Sequence, residues 1–283
     1  MKRKLKGNLL LLVLLFSFFD ALGMQKIYEK GELSRLHKHM VSTQGFRDHI
    51  MNERVLKMIE ESENPGLYAG LYLLESKFSY LPFSQTDSKA EMDRIHDKWA
   101  VKKEWVPYQK ACYAIWNDLQ YFPVPESSLD SSLRVRYSDS WMNERTYGGK
   151  RGHEGTDIMA SKNRRDIYPV LSMTDGIVTS KGWLPKGGWR IGITAPGGGY
   201  FYYAHLSSYG QVEIGDEVKA GDLLGYMGDS GYGKEGTTGQ FPVHLHVGIY
   251  LQENGKEISI NPVSYTHLDV YKRQPLQKHC SRK

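Results

Sequence analysis

The sequence predicts an α+β chain, in which a small helical region precedes a mainly β domain built on an antiparallel sheet. Three observations predict it. Up to about residue 119, apolar residues recur at helical spacing with charges between them. A segment rich in proline and serine follows. Beyond it glycine becomes frequent, and short apolar runs alternate with turn signals. The 283 residues suffice for one large or two ordinary domains, and 40% apolar with 24% charged residues fits a packed core.

Residues 1–23 read as a signal peptide or an N-terminal anchor. Lys2, Arg3, Lys4 and Lys6 form a basic start, residues 9–19 are apolar apart from Ser17, and Ala21 and Gly23 supply small residues for cleavage. The apolar run is about half the roughly 20 residues of a spanning helix. Asp20 is awkward beside a cleavage site, which keeps the anchor as the rival reading. Either way the body of the chain is expected to be extracytoplasmic, secreted or held at the cell envelope.

Residues 24–121 form the helical region. Ile50, Val55, Met58 and Ile59 fall near a 3.6-residue period, and Pro65 and Pro107 sit where two further helices begin. Cys112 reads as a buried thiol within the last of these. No catalytic constellation stands out here. His37 and His39, two apart in an expected helix, would point about 200° away from each other and read as surface histidines. Residues 122–134 read as a linker. Residues 135–263 form the β domain, with Gly197, Gly198 and Gly199 as a hairpin loop between two strands. Residues 264–283 fit no part of the domain and are expected to be disordered or foreign to the natural protein, which sets His267, His279 and Cys280 aside.

The net charge of +5 is a property of the ends. Residues 1–23 carry +3 and residues 264–283 carry +4, leaving the middle at −2. That balance gives no support to a nucleic-acid-binding face. Two cysteines make no disulfide framework, so an exported chain of this kind relies on core size or on a metal.

Four histidines of the β domain have suggestive settings. "HEGTD" spaces His153 and Asp157 four apart; Gly152 and Gly155 argue against a helix, but in an extended segment the two still share a face. "VHLHV" places His244 and His246 on one face of a strand, with Leu245 turned to the core. His153, Asp157 and one of these two histidines would satisfy zinc and leave a fourth position open, as catalytic sites do. "YYAHLSSY" adds His205 at a strand end, where a lone histidine is more often a satisfied core residue.

Taken in order, "HEGTD", "YAHLSS", "GDEVKAGDLLGYMGDSGYG" and "HLH" resemble the M23 family of zinc metallopeptidases, the lysostaphin-type or LytM-like endopeptidases, over about residues 147–262. The resemblance implies a β-sheet peptidase domain with a zinc-bearing groove, Zn2+ held by His153, Asp157 and His246, and His205 and His244 as catalytic histidines beside it. It also implies a peptidoglycan peptide as substrate; the charge balance leads to the expectation of no nucleic-acid partner, and contact with a membrane is expected only through the N-terminal segment where that stays uncleaved. Val247 and Gly248 replace the aromatic and acidic residues that commonly follow "HLH", and "KEGTTGQFPV" is longer than usual, which bears on the groove wall and not on the ligands. Two other readings compete. A silent M23-like domain could regulate other wall hydrolases, although all five site residues are present. A lipoyl-type hairpin would also carry the pattern of "GDEVKAG", but Lys219 lies within a strand-like run and not at a turn tip.

Overall fold

The computed structural model describes residues 2–79 and 89–262. The predicted tail lies outside them. The first half is helical: α1 (Lys2–Leu33), a single 3-10 turn (Met40–Ser42), α2 (Gln44–Asp48), α3 (Glu53–Glu61), α4 (Pro65–Glu75), α5 (Lys89–Ala100) and α6 (Trp105–Trp116). α1 runs unbroken through residues 23 and 24. No helix among the described residues is long and apolar enough to cross a membrane.

Local sequence starts these helices. Thr43, Asn52 and Asn64 each lend a side-chain oxygen to a backbone N–H at the open end of α2, α3 and α4, and Pro65 opens α4 with its φ already helical. On α5 the buried Met92, Ile95 and Trp99 follow helical spacing. α4 and α6 pack closely because Gly70 leaves room: a β-carbon there would lie 3.0 Å from Cys112 Sγ. Cys112 is buried, as expected. His37 and His39 are exposed, as expected, but lie in turns after α1 and not in a helix. The chain turns there because Leu36 and Met40 are drawn into the core.

The second half holds β1 (Val135–Tyr137), β2 (Glu144–Arg145), β3 (Arg151–Gly152), β4 (Thr156–Ala160), β5 (Pro169–Leu171), β6 (Gly176–Leu184), β7 (Gly188–Thr194), β8 (Tyr200–Tyr209), β9 (Glu217–Val218), β10 (Leu223–Met227), β11 (His244–Glu253) and β12 (Lys256–Ile260). The main sheet has the order β1-β4-β11-β8-β7-β6-β9, all pairs antiparallel; β10 joins β5 and β8, and β12 joins β11. β2 and β3 form a separate two-stranded ribbon. The glycine run 197–199 turns the β7–β8 hairpin and also admits α6, since a β-carbon on Gly199 would meet the Ala114 carbonyl oxygen at 2.1 Å.

One continuous apolar core joins the halves, from Phe46 and Trp99 to Ile193, Phe201 and Ile249. The segment between them belongs to it: Phe122 and Val124 are buried, and the Pro123 carbonyl accepts from Leu171 N at 2.8 Å. The other face of the β11–β8–β7 sheet lines an open groove of about 750 Å³.

Candidate metal centre

Two of the candidate residues are placed by strand pairing. His246 on β11 lies directly opposite Asp157 on β4, so both side chains rise from one face. Their neighbours Leu245 and Ile158 point the other way and are fully buried. His244, two residues before His246, shares its face. His153 comes from beside the sheet, in the extended stretch between β3 and β4, and reaches over a bend at Gly155. That bend needs glycine. A β-carbon on Gly155 would lie 2.5 Å from both His246 Cε1 and the Val247 carbonyl oxygen.

Three donor atoms converge. His153 Nε2 lies 2.9 Å from His246 Nδ1 and 3.1 Å from Asp157 Oδ1, and His246 Nδ1 lies 3.1 Å from the same carboxylate oxygen. Ligand bonds of about 2.0–2.1 Å at tetrahedral angles put donor atoms roughly 3.3 Å apart, so a His2Asp set of this size fits zinc. The outer atoms of the set are already engaged. His153 Nδ1 faces the Ser140 carbonyl oxygen at 3.0 Å, which turns its Nε2 inward, and Arg145 Nη2 donates to Asp157 Oδ2 at 2.6 Å. Burial alone would raise the Asp157 pKa, but its close contacts with the His153 and His246 side chains outweigh it and hold the carboxylate ionised, far below its usual range.

The remaining two histidines stand beside this cluster. His205 Nδ1 is 2.7 Å from the Ser230 carbonyl oxygen, and His244 Nδ1 is 2.8 Å from that of Pro242. A carbonyl only accepts, so each Nδ1 carries the proton and each Nε2 keeps a free lone pair. Burial lowers the pKa of both rings, and for His205 the neighbouring His244 and His246 lower it further. The ring centroids of His205 and His244 are 4.7 Å apart, and His244 Nε2 lies 3.8 Å from Asp157 Oδ1.

His205 reaches the groove by breaking the strand rule. Ala204 pairs with His246, and Tyr200 and Tyr202 line the groove with it, so alternation would send His205 into the core alongside Tyr203. Between β8 and β7, Leu206 pairs with Trp189 and Tyr203 with Ile191. Ala204 and His205 therefore oppose the single residue Arg190. This bulge, with His205 at φ +63°, re-aims the ring.

Comparison with known proteins supplies the family. The model for "LytM, N-terminal domain" matches residues 31–118 and that for "Peptidase family M23" matches residues 151–262. A crystal structure of a Ruminococcus gnavus protein described as a glycyl-glycine endopeptidase of the LytM type is 53% identical, with TM-score 0.81, covering 86% of this chain and 97% of that one. This chain belongs to peptidase family M23. The L-Ala–D-Glu endopeptidase of Bacillus subtilis strain 168 is 41% identical over 160 residues, 56% of this chain and 45% of that protein. The glycyl-glycine endopeptidase ALE-1 of Staphylococcus capitis is 34% identical over 113 residues, 36% of this chain and 30% of that protein. The chain thus spans less than half the length of these curated relatives.

In this M23 domain the wall beside His205 and His244 is aromatic. The Phe241 ring lies 4.7 Å from His205 and 4.9 Å from both His244 and Tyr232, and Tyr232 stacks on Tyr147 at 4.3 Å. Phe241 and Pro242 belong to the long stretch before "HLH", which does shape the groove. Reading the sequence for ligand types missed Arg145, Gly155, Ser140 and Arg190. Gly155 had a signal, a glycine inside an ordered His–Asp motif. The others act through backbone atoms or distant pairing and leave none.

Proposed function

We propose that this chain is a zinc-dependent endopeptidase that hydrolyses peptide bonds of bacterial peptidoglycan outside the cytoplasm. The observation that carries it is the triangle of His153 Nε2, Asp157 Oδ1 and His246 Nδ1 on the floor of an open groove. A hydrogen-bond network would align each proton with one acceptor. Two ring nitrogens and one carboxylate oxygen converging at 2.9–3.1 Å are better served by a shared cation. Zinc, when bound, would polarise the scissile carbonyl and make hydroxide available near neutral pH.

The chain's own residues do the rest. His205 and His244 present unprotonated Nε2 atoms to the same space, so either can take a proton from an attacking water and return it to the leaving amine. Their lowered pKa values keep both rings neutral at pH 7, in the form a general base needs. The Phe241 wall keeps water from the rings on one side. Arg145 holds Asp157 by its outer oxygen, leaving Oδ1 for the cluster. The named specificities of the relatives, L-Ala–D-Glu and glycyl-glycine, are the two bonds to be tried first. The basic, apolar N-terminal 23 residues agree with export.

Purified protein should bind one zinc ion per chain and release peptide fragments from peptidoglycan. EDTA or His246→Ala should lower that activity by at least about 1,000-fold and remove the zinc. Full activity without zinc would overturn the proposal.

A further inference from the structure

Arg190 occupies an unusual place. It projects from β7 opposite the Ala204–His205 bulge, one strand from His205 and two from His246. Neighbouring strands lie about 4.8 Å apart, so its backbone is roughly 10 Å from that of His246. It lines the groove with Tyr200 and Tyr202. Its Nε and Nη1 are buried and meet no hydrogen-bond acceptor among the described residues. A guanidinium cannot shed its charge, so buried N–H groups without an acceptor are a standing penalty that a bound anion would relieve.

None of the other charged groups around the groove pairs with Arg190, and Arg151, which also lines it, donates through Nη1 to the Gly152 carbonyl at 3.4 Å while its buried Nε meets no acceptor among the described residues. Arg145 is spent on Asp157, and Glu154 on Arg47 and Ser259. Lys186 is exposed at the rim. Glu257 lines the groove but forms no ion pair with Arg190 among the described residues. A fixed positive charge beside the position where a scissile bond must lie therefore has no counter-charge of its own.

We propose that Arg190 is a substrate-carboxylate anchor, which selects peptides carrying a free carboxylate next to the scissile bond over uncharged glycyl bonds. Guanidinium and carboxylate match as a planar, two-pronged pair, which fixes the position of the substrate as well as its charge. An acidic residue on the leaving side of the bond supplies such a group; a glycyl-glycine bond does not. This inference rests on the endopeptidase reading above.

Three peptides separate the two: one with an L-Ala–D-Glu bond and a free glutamyl α-carboxylate, its α-amide, and pentaglycine. With the zinc-loaded full chain, kcat/KM for the carboxylate peptide should exceed that for the amide by about ten- to a hundredfold, mostly through KM. In Arg190→Gln the ratio should collapse towards one. Arg190→Lys, which keeps the charge and loses the fork, should fall between. A wild-type ratio near one, preference for pentaglycine, or an unchanged ratio in Arg190→Gln would overturn the proposal and leave the endopeptidase reading intact. The wild-type ratio is read on native protein, so the outcome stands even where Arg190→Gln fails to fold. No cleavage of any of the three, or of whole peptidoglycan, would sink the endopeptidase reading itself.

Discussion

Both halves of the molecule bury histidines, and they do so in opposite ways. In the helical half His49 is fully buried with both ring nitrogens engaged: Nδ1 lies 2.6 Å from the Phe46 carbonyl oxygen, and Nε2 accepts from Trp116 Nε1 at 3.3 Å. In the β half His153, His205 and His244 each hold a backbone carbonyl through Nδ1 and turn Nε2 toward a common space, where that of His153 meets His246 and Asp157. A carbonyl that holds one nitrogen sets the tautomer; whether the other nitrogen is sealed or free separates a core histidine from a working one. Burial alone does not make that distinction.

The halves are also coupled. Asp48, at the end of α2, accepts from Trp141 Nε1 at 2.8 Å, and the Arg47 guanidinium lies 5.6 Å over the Trp141 ring. The neighbouring Ser140 carbonyl is the one that orients His153. Arg47 also bonds Glu154, the residue after His153. The helical half therefore braces the backbone around one candidate ligand and is no loosely tethered module.

The largest blow to the contrast comes from Gly155→Ala. The added methyl would strike the His246 ring, so zinc affinity should fall by at least about 100-fold, with a stability loss of about 1–3 kcal/mol. Calorimetric zinc titration checks the first and denaturant unfolding the second; wild-type affinity would show that the bend has room to spare. Next is Trp141→Phe, which keeps a ring under Arg47 but deletes the N–H to Asp48. Zinc affinity should weaken by about tenfold while helix content, read by circular dichroism, stays level. Unchanged affinity would mean that the brace does not reach His153.

The subtlest test concerns the sealed imidazole. Burial pushes His49 down from 6.5 to about 4. Its folded pKa lies below the unfolded one, so it has no effect above about pH 6.5, and stability drains as pH falls from there towards 4, where the unfolded chain takes a proton that the folded chain refuses. The loss approaches about 3 kcal/mol at the acid end. His49→Asn suits the left-handed backbone at this helix end (φ +48°) and should flatten that slope in denaturant midpoints measured from pH 7 to 4.5. Equal slopes in both proteins would show that His49 is not the group responsible.

Much was legible beforehand because local rules governed it. Pro65 announces a helix start, three glycines a hairpin, and two histidines on alternate strand positions a common face, since helix-start, turn and strand signals act over a few residues. The sequence by itself determined the α+β order, the buried Cys112, and the side-chain chemistry available at residues 153, 157, 205, 244 and 246. Only the tertiary structure decided that Asp157 faces His246 across a strand pair, that a bulge opposite Arg190 turns His205 out of the core, and that Asp48 reaches Trp141. Register, bulges and contacts between halves arise from pairings between residues far apart in the chain, and no local pattern encodes those.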